Sequence, residues 1–597
     1  MVDTNLDKKK SNPWSWIPSL YFSEGLPFFI VTILSVVMYK RLGVSNAEIA
    51  FYTSLFYLPW VIKPFWAPLV DILSTKRSWI IITQLLIAIG MAGVAFTIPM
   101  PDFFQFTLAF FWLVAFFSAT NEISADGFYM LALDDNKQAY FVGIKTASYK
   151  IAMVAGQGLI IILAGFLEST FSIAPAEFNV VSSPKNFFEE TIKLNSESPA
   201  EREGSLRIIA EPNHVEIGTQ PRTLEDVEAF VNFARSFNIM NGYTDPLTVE
   251  PEYASSQEAV GNIGIVRLFL SKKPEPGEEY PVTIDFHEGN NRIRIIEGNK
   301  LKFTDKNWDK PAFAIVQLDS TMHSNEKSVF IAQIEKVPIA WTITFFLIAL
   351  LFILLFLYHK FVLPEPAADK RVGSQRQTQV YQEFFRSFYR FFEKKKIILI
   401  ISFILLYSLG EAQLVKIAAP FMLDPVNKGG LGLSTQSVGL IHGTFGIAAI
   451  ILGGIIGGFA IARKGLKHWL IPMLIAINAP NILYVLLSLF QPSSIWIVTA
   501  SVVVEQFGFG FGFTAFIMYI IYICQGEYKT SHYAIATGFM ALGMMLPGML
   551  SGIIQEVIGY NYFFIWVLVS AIPAFLLVKR IPLEGNFGKK KVDLVGS

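Results

Sequence analysis

Cysteine is nearly absent. The chain has 597 residues and one cysteine, Cys524, so no intrachain disulfide and no cysteine-based metal cluster can form. Charge is scarce too. Asp, Glu, Lys and Arg make up 16% of the residues and hydrophobic residues 53%, whereas soluble domains carry about 25% charge. A chain this long cannot dress its surface with so few polar groups, so the composition points to lipid. It excludes a disordered chain, a basic nucleic-acid binder and a disulfide-stapled secreted module. Basic and acidic residues balance at 48 each, so net charge says nothing of a partner. No GxSxG, Walker or HExxH motif occurs, and the seven histidines lack metal-ligand spacing. "GFGFGF" (508–513) has no preceding strand, which a nucleotide loop needs. Neither an enzyme nor a cofactor or metal is expected.

What the chain does have is apolar length. A helix needs about 20 apolar residues to cross a bilayer, and about twelve such runs occur. They lie near 16–38, 49–70, 79–98, 104–132, 144–167 and 338–360, then 396–420, 435–461, 468–490, 494–524, 532–558 and 561–579. The expected fold is an all-α polytopic membrane protein. The expected divisions are 1–167 (spans 1–5), an extramembrane insertion 168–335, 336–360 (span 6), a cytoplasmic linker 361–395 and 396–597 (spans 7–12 and a basic tail). The N-terminus carries Lys8, Lys9 and Lys10 with no cleavable signal after it, so the first span acts as its own insertion signal. Lys and Arg concentrate in alternate short loops, which places both termini in the cytoplasm. Lys40, Arg41 and Lys428 are exceptions on the outer side.

The insertion holds 16 basic and 27 acidic residues, net −11, and the rest of the chain is +11. Topology puts it in the periplasm, as a docking module for an envelope protein or a passive decoration. Branched runs at 263–270, 282–286, 293–296, 301–303 and 312–318, broken by Pro/Gly turns, predict a β-sandwich. Residues 298–318 resemble the closing strands of Calx-β-like and related immunoglobulin-like repeats. Leu224, Val227, Phe230, Val231 and Ala234 share one helical face within 222–240. In the linker, 376–396 is amphipathic and suited to the inner interface.

Six spans, a basic linker and six more spans form the pattern of two parallel repeats around a midplane site. "LYFSEG" (20–25) and "LYSLGE" (406–411) echo one another at the first span of each half. "YFSEGLPFF" (21–29), "IKPFWAPLVD" (62–71), "SATNEISADGF" (118–128), "GIKTASYKIAMVAGQG" (143–158), "LYSLGEA" (406–412), "SHYAIATGFMAL" (531–542) and "SGIIQEVIGYNYFF" (551–564) resemble AmpG-type muropeptide permeases and their acetyl-CoA-transporter relatives in the major facilitator superfamily. The insertion departs from that pattern. The resemblance implies two six-helix bundles, a central cavity and a cytoplasmic gate. The gate would be the signature loop with Asp71, Lys76 and Arg77 and its counterpart with Arg463.

Ionisable groups inside spans are costly and default to functional candidates. Glu122 and Asp126, at i,i+4, share a helix face after Asn121. Two like charges this close cannot both ionise cheaply, so one is expected to hold a proton. Proton coupling is therefore assigned to Glu122, Asp126, Glu24, Glu411 and Glu505. Substrate contact is assigned to Tyr21, Asn121, Tyr149, Lys150, Lys63, Lys416 and His442, with Lys145 nearer the cytoplasmic end. The expected activity is proton-coupled import of an anionic anhydro-muropeptide or amino sugar across the bacterial inner membrane. Two alternatives stand beside it: an acyl-CoA or other organic-anion carrier, and a non-transporting envelope receptor acting through the insertion.

Overall fold

A computed structural model describes residues 12–171, 173–184, 206–244, 259–275, 278–290, 292–334, 337–370, 382, 385–525, 529–583 and 587. Two compact units emerge. One is a helical body, and the other comprises Leu167–Val337 with Pro425–Lys428.

Among the described residues, ten helical stretches of the body have the length and hydropathy to cross a membrane. The spans of the first half are span 1 (Pro13–Arg41), span 3 (Lys76–Thr97), span 4 (Phe103–Ala132), span 5 (Gly143–Phe171) and span 6 (Val337–Val362). Those of the second half are span 7 (Ile397–Leu423), span 8 (Thr435–Lys464), span 9 (Leu466–Phe490) and span 10 (Ile495–Ile523), followed by Ser531–Val578. The remaining two of the expected twelve have physical reasons to escape the length test. Span 2 is Asn46–Leu55 and Leu58–Leu73, two short helices separated by a turn. The last stretch turns at Gly559, whose φ of +72° is left-handed and suits glycine; it divides span 11 from span 12. The described linker is helical over 385–392, and 371–381 lies outside the described residues.

Wide π-helical turns interrupt span 1 (Ile30–Leu34), span 5 (Ala155–Leu159) and span 8 (Ile441–Gly446). Those of spans 5 and 8 meet. A Cβ on Gly443 would lie 1.9 Å from the Gly158 Cα, so the two backbones touch as only glycines permit. Such turns often mark functional places.

The insertion is a two-sheet sandwich. Its strands are β1 (Ile173–Ser183), β2 (Ile208–Glu211), β3 (His214–Gly218), β4 (Arg222–Thr223), β5 (Ala259–Val260), β6 (Ile263–Leu270), β7 (Tyr280–Gly289), β8 (Ile293–Glu297), β9 (Lys300–Phe303), β10 (Ala312–Leu318) and β11 (Lys327–Ile334). One sheet runs β3-β1-β11-β7-β9 and the other β2-β6-β10-β8. The first and last long strands pair antiparallel, Phe178 opposite Phe330, so the chain enters and leaves on neighbouring strands. β10 is buried on both faces. Ala312, Ala314, Val316 and Leu318 face the sandwich core. Phe313 and Ile315 face the helix Leu224–Met240 through Val227, Val231 and Ala234. The period-two strand meets the 3.6-period helix stripe on its outer face. Asn238 clasps them, donating to the Phe313 carbonyl at 2.9 Å and accepting from the Phe313 amide at 3.0 Å.

Candidate functional site

Spans 1, 2, 4 and 5 bring their charged side chains together. Each carboxylate of span 4 has its own lysine. Lys63 Nζ donates to Glu122 Oε1 at 2.7 Å, and the Trp60 indole donates to Glu122 Oε2 at 2.9 Å. Lys145 Nζ donates to Asp126 Oδ1 at 2.5 Å, with the Tyr21 hydroxyl on the same oxygen at 3.1 Å. The expected repulsion between Glu122 and Asp126 is thus met by two cations rather than by one neutral acid. Asp126 takes its cation from Lys145, five residues before Lys150, and no ion pair of Lys150 occurs among the described residues. Five residues turn a helix about 140° past its starting face. The face that includes Lys145, Tyr149 and Ala152 packs on Gly25 of span 1, and Lys150 points elsewhere. The Lys145 ammonium also lies 4.5 Å above the Tyr21 ring, a cation–π contact that helps fix it.

Glu24 lies behind these pairs, 6% exposed, within electrostatic reach of Asp126, Glu122, Lys145 and Lys63. Its Oε2 has no hydrogen-bond partner. Three acids and two lysines therefore share one neighbourhood with one negative charge in excess when all are ionised. Asp126 keeps 45% of its side chain exposed and Lys145 30%, so the cluster is buried at Glu24 and open at Asp126. Tyr533 of span 11 was not singled out from sequence; it is in reach of Lys63, Asp126 and Glu122, so the cluster faces the other half. Tyr149 packs edge-on against Phe29 at 5.5 Å. Asn121 is turned away, accepting from Thr83 of span 3 at 3.0 Å with its Nδ2 unpartnered.

In the second half, Lys416 is 1% exposed. It crosses to the first half, donating to the Thr32 carbonyl at 3.2 Å and the Thr53 hydroxyl at 3.1 Å. Its ammonium lies 5.2 Å from the Tyr57 ring, and no carboxylate pairs with it among the described residues. Glu411 and Glu505 sit together, each 1% exposed. His442 is half-buried in the π turn of span 8, with Nε2 unpartnered.

The expected gate residues have these described contacts. Asp369 caps the start of span 3, accepting from the Lys76 amide at 2.8 Å and the Arg77 amide at 2.9 Å, where a helix N-terminus favours an anion. The Arg77 guanidinium goes to the Lys360 carbonyl at 2.7 Å and to Glu365 at 3.5 Å. The Lys76 side chain packs on Gly127. Arg463 is exposed, and the Asp71 side chain lies outside the described residues. A separate polar network crosses between the halves at Lys40. Lys40, ending span 1, binds Asp424, just past span 7, at 2.7 Å and Asn46 at 2.7 Å. Asn46 donates to Gln555 at 2.6 Å and to Tyr560 at 2.8 Å. Tyr560 donates to Asp424 at 2.5 Å, and the Ala47 amide donates to Glu556 at 2.8 Å. A lysine on the wrong side of the positive-inside pattern was the one sequence signal for this network.

Solved transporters share the helical fold. A POT family transporter in complex with 5-aminolevulinic acid superposes with a TM-score of 0.52, covering 94% of each chain at 9% identity. A bacterial homologue of the human lysosomal transporter Spinster gives 0.50, covering 96% of this chain and 98% of that one at 13% identity. The fold is that of the major facilitators. Within this fold, sequence likeness narrows the branch. A BT1 family profile matches residues 24–181. The protein named AmpG 2 from Rickettsia typhi is 29% identical over 297 residues, 49% of this chain and 68% of that protein. The anhydromuropeptide permease of Escherichia coli K12 is 29% identical over 196 residues, 32% of this chain and 39% of that permease. The chain is a multi-pass membrane transporter of the major facilitator fold, similar to AmpG-type permeases.

Proposed function

We propose that this transporter imports an anionic cell-wall fragment, an anhydro-muropeptide or amino sugar, with protons, by alternating access. Both termini would lie in the cytoplasm and residues 168–335 in the periplasm of a bacterial inner membrane. The observation that carries the reading is the pairing of Lys63 with Glu122 and Lys145 with Asp126, part-exposed beside the buried Glu24. A substrate carboxylate competes with Glu122 or Asp126 for its lysine. The acid so released, in a place drier than water, takes up a proton, and the charge count is preserved. Glu24 receives or returns that proton from the buried side. Lys416, without an acid of its own, offers a second contact to substrate oxygens between the halves. The latch of Lys40 and Asp424 closes the outer end, and substrate leaves inward past Asp126. The names of the AmpG relatives support the substrate class.

The test is uptake of labelled anhydro-muropeptide into vesicles that contain the protein, with a tenfold excess of unlabelled amino sugar, acyl-CoA or neutral sugar as competitor. Competition by the muropeptide and its amino sugar alone supports the proposal; competition by acyl-CoA alone contradicts it and favours an organic-anion carrier.

A further inference from the structure

A second buried polar cluster lies in the second half, apart from the Lys63–Glu122 cluster. Glu411 of span 7 and Glu505 of span 10 lie within electrostatic reach of one another, and no basic group accompanies them. Glu411 Oε2 and Glu505 Oε1 have no hydrogen-bond partner. The other Glu505 oxygen accepts from Gln506 at 2.8 Å.

Neutral oxygens gather around them. Ser408 lies one turn before Glu411, and its Oγ is unpartnered at 5% exposure. Asn478 Oδ1, unpartnered at 5% exposure, lies 3.5 Å from where a Cβ would project at Gly410, the neighbour of Glu411. Asn481 is 1% exposed with neither amide atom paired. Tyr484, one turn on, is fully buried with a free hydroxyl and feels both glutamates. Pro480 touches Gly508, one turn past Glu505, which brings this part of span 9 against Glu505. Unmet polar atoms this numerous and this buried need water or an ion to satisfy them.

The backbone points to its sign. Span 7 breaks at Ser408, where the helix Ile397–Tyr407 ends. Span 9 breaks at Ala479–Asn481, where the helix Leu466–Asn478 ends. Each break presents a half-helix C-terminus, which favours positive charge, and span 7 restarts at Leu409 with Glu411 in its first turn, where an ionised carboxylate is favoured. In secondary transporters, interrupted helices of this kind hold coupling ions. All the donors are oxygens, which suits a hard metal ion rather than a soft one.

We propose that Glu411 and Glu505, with Ser408, Asn478, Asn481 and Tyr484, hold a sodium ion. A single charge lets the ion leave in each cycle, as a coupling ion must. This site does not depend on the proton role given to the first cluster, and either assignment can fail without the other.

The experiment compares thermal unfolding of the purified full chain in sodium, potassium and choline chloride at equal ionic strength and pH. The expected result is a midpoint that rises with sodium alone and saturates. That rise disappears in Glu411→Gln, is weakened in Asn481→Ala and persists in Glu122→Gln. Equal midpoints in the three salts overturn the proposal. So does a sodium response unchanged in both Glu411→Gln and Asn481→Ala. The wild-type salt comparison decides even if the Glu411 variant fails to fold.

Discussion

Lys40 and Asp424 occupy corresponding places in the two halves, each closing the first span of its half, and their side chains meet at 2.7 Å. Both are 13% exposed, so the pair is shielded from solvent, and loss of one partner strands a charge at a cost on the order of 3 kcal/mol. Asp424→Asn is expected to weaken closure of this end. With Cys524 replaced by Ser and spin labels at the exposed Glu48 and Gln436, the distance distribution should shift to longer values. The swap Lys40→Asp with Asp424→Lys should bring it back. A distribution unchanged by Asp424→Asn contradicts the latch.

Glu24 separates proton coupling from substrate passage. Glu24→Gln is expected to abolish uphill accumulation while exchange of labelled for unlabelled substrate continues at near the wild-type rate. Equal loss of both would assign Glu24 to packing between spans 1 and 5.

The pairing of Lys63 with Glu122 predicts non-additivity. Lys63→Ala and Glu122→Gln should each cut uptake at least tenfold, and the double variant should lose less than the product of the two, since neither partner is left alone. A strictly multiplicative loss refutes the pair as a functional unit.

Backbone contact of Gly158 with Gly443 leaves no room for a side chain. Gly443→Val should insert into the membrane yet lose transport, as spans 5 and 8 can no longer close. Wild-type uptake by this variant would show that the crossing is not used in the cycle.

Within the insertion, Asn238→Ala removes both hydrogen bonds to the Phe313 backbone, each unmet buried group costing about 1–3 kcal/mol. Faster proteolysis of the insertion at unchanged uptake is expected. Glu297 adds a pH dependence. Burial raises its carboxyl above the ordinary value, and Arg235 only partly offsets this. A raised folded value means stability is fully present below the unfolded value of about 4.3 and falls as pH rises through the folded one. Glu297→Gln should flatten that fall; a pH profile identical to wild type contradicts it.

Much of the fold was legible because a bilayer imposes length and apolarity on every span. Glu122 and Asp126 were legible from their i,i+4 spacing. Their partners were not: choosing Lys145 over Lys150 requires the helix phase set by Gly25 against Tyr149. Lys40 looked like an exception to charge bias until Asp424, 384 residues on, supplied the reason. In the insertion, β6 and β10 showed as branched runs, as did the helix that follows β4. β1 and β11 did not, since β1 contains Pro175 and alternates only briefly over 176–180 and their pairing joins opposite ends of the domain.

The most direct test of the account is proton movement during substrate entry. Liposomes containing the purified chain, with a pH-sensitive dye outside and no imposed gradient, receive anhydro-muropeptide. The account predicts external alkalinisation that tracks uptake of labelled substrate and is lost in Glu24→Gln. Substrate entry at the wild-type rate with no pH change would contradict it.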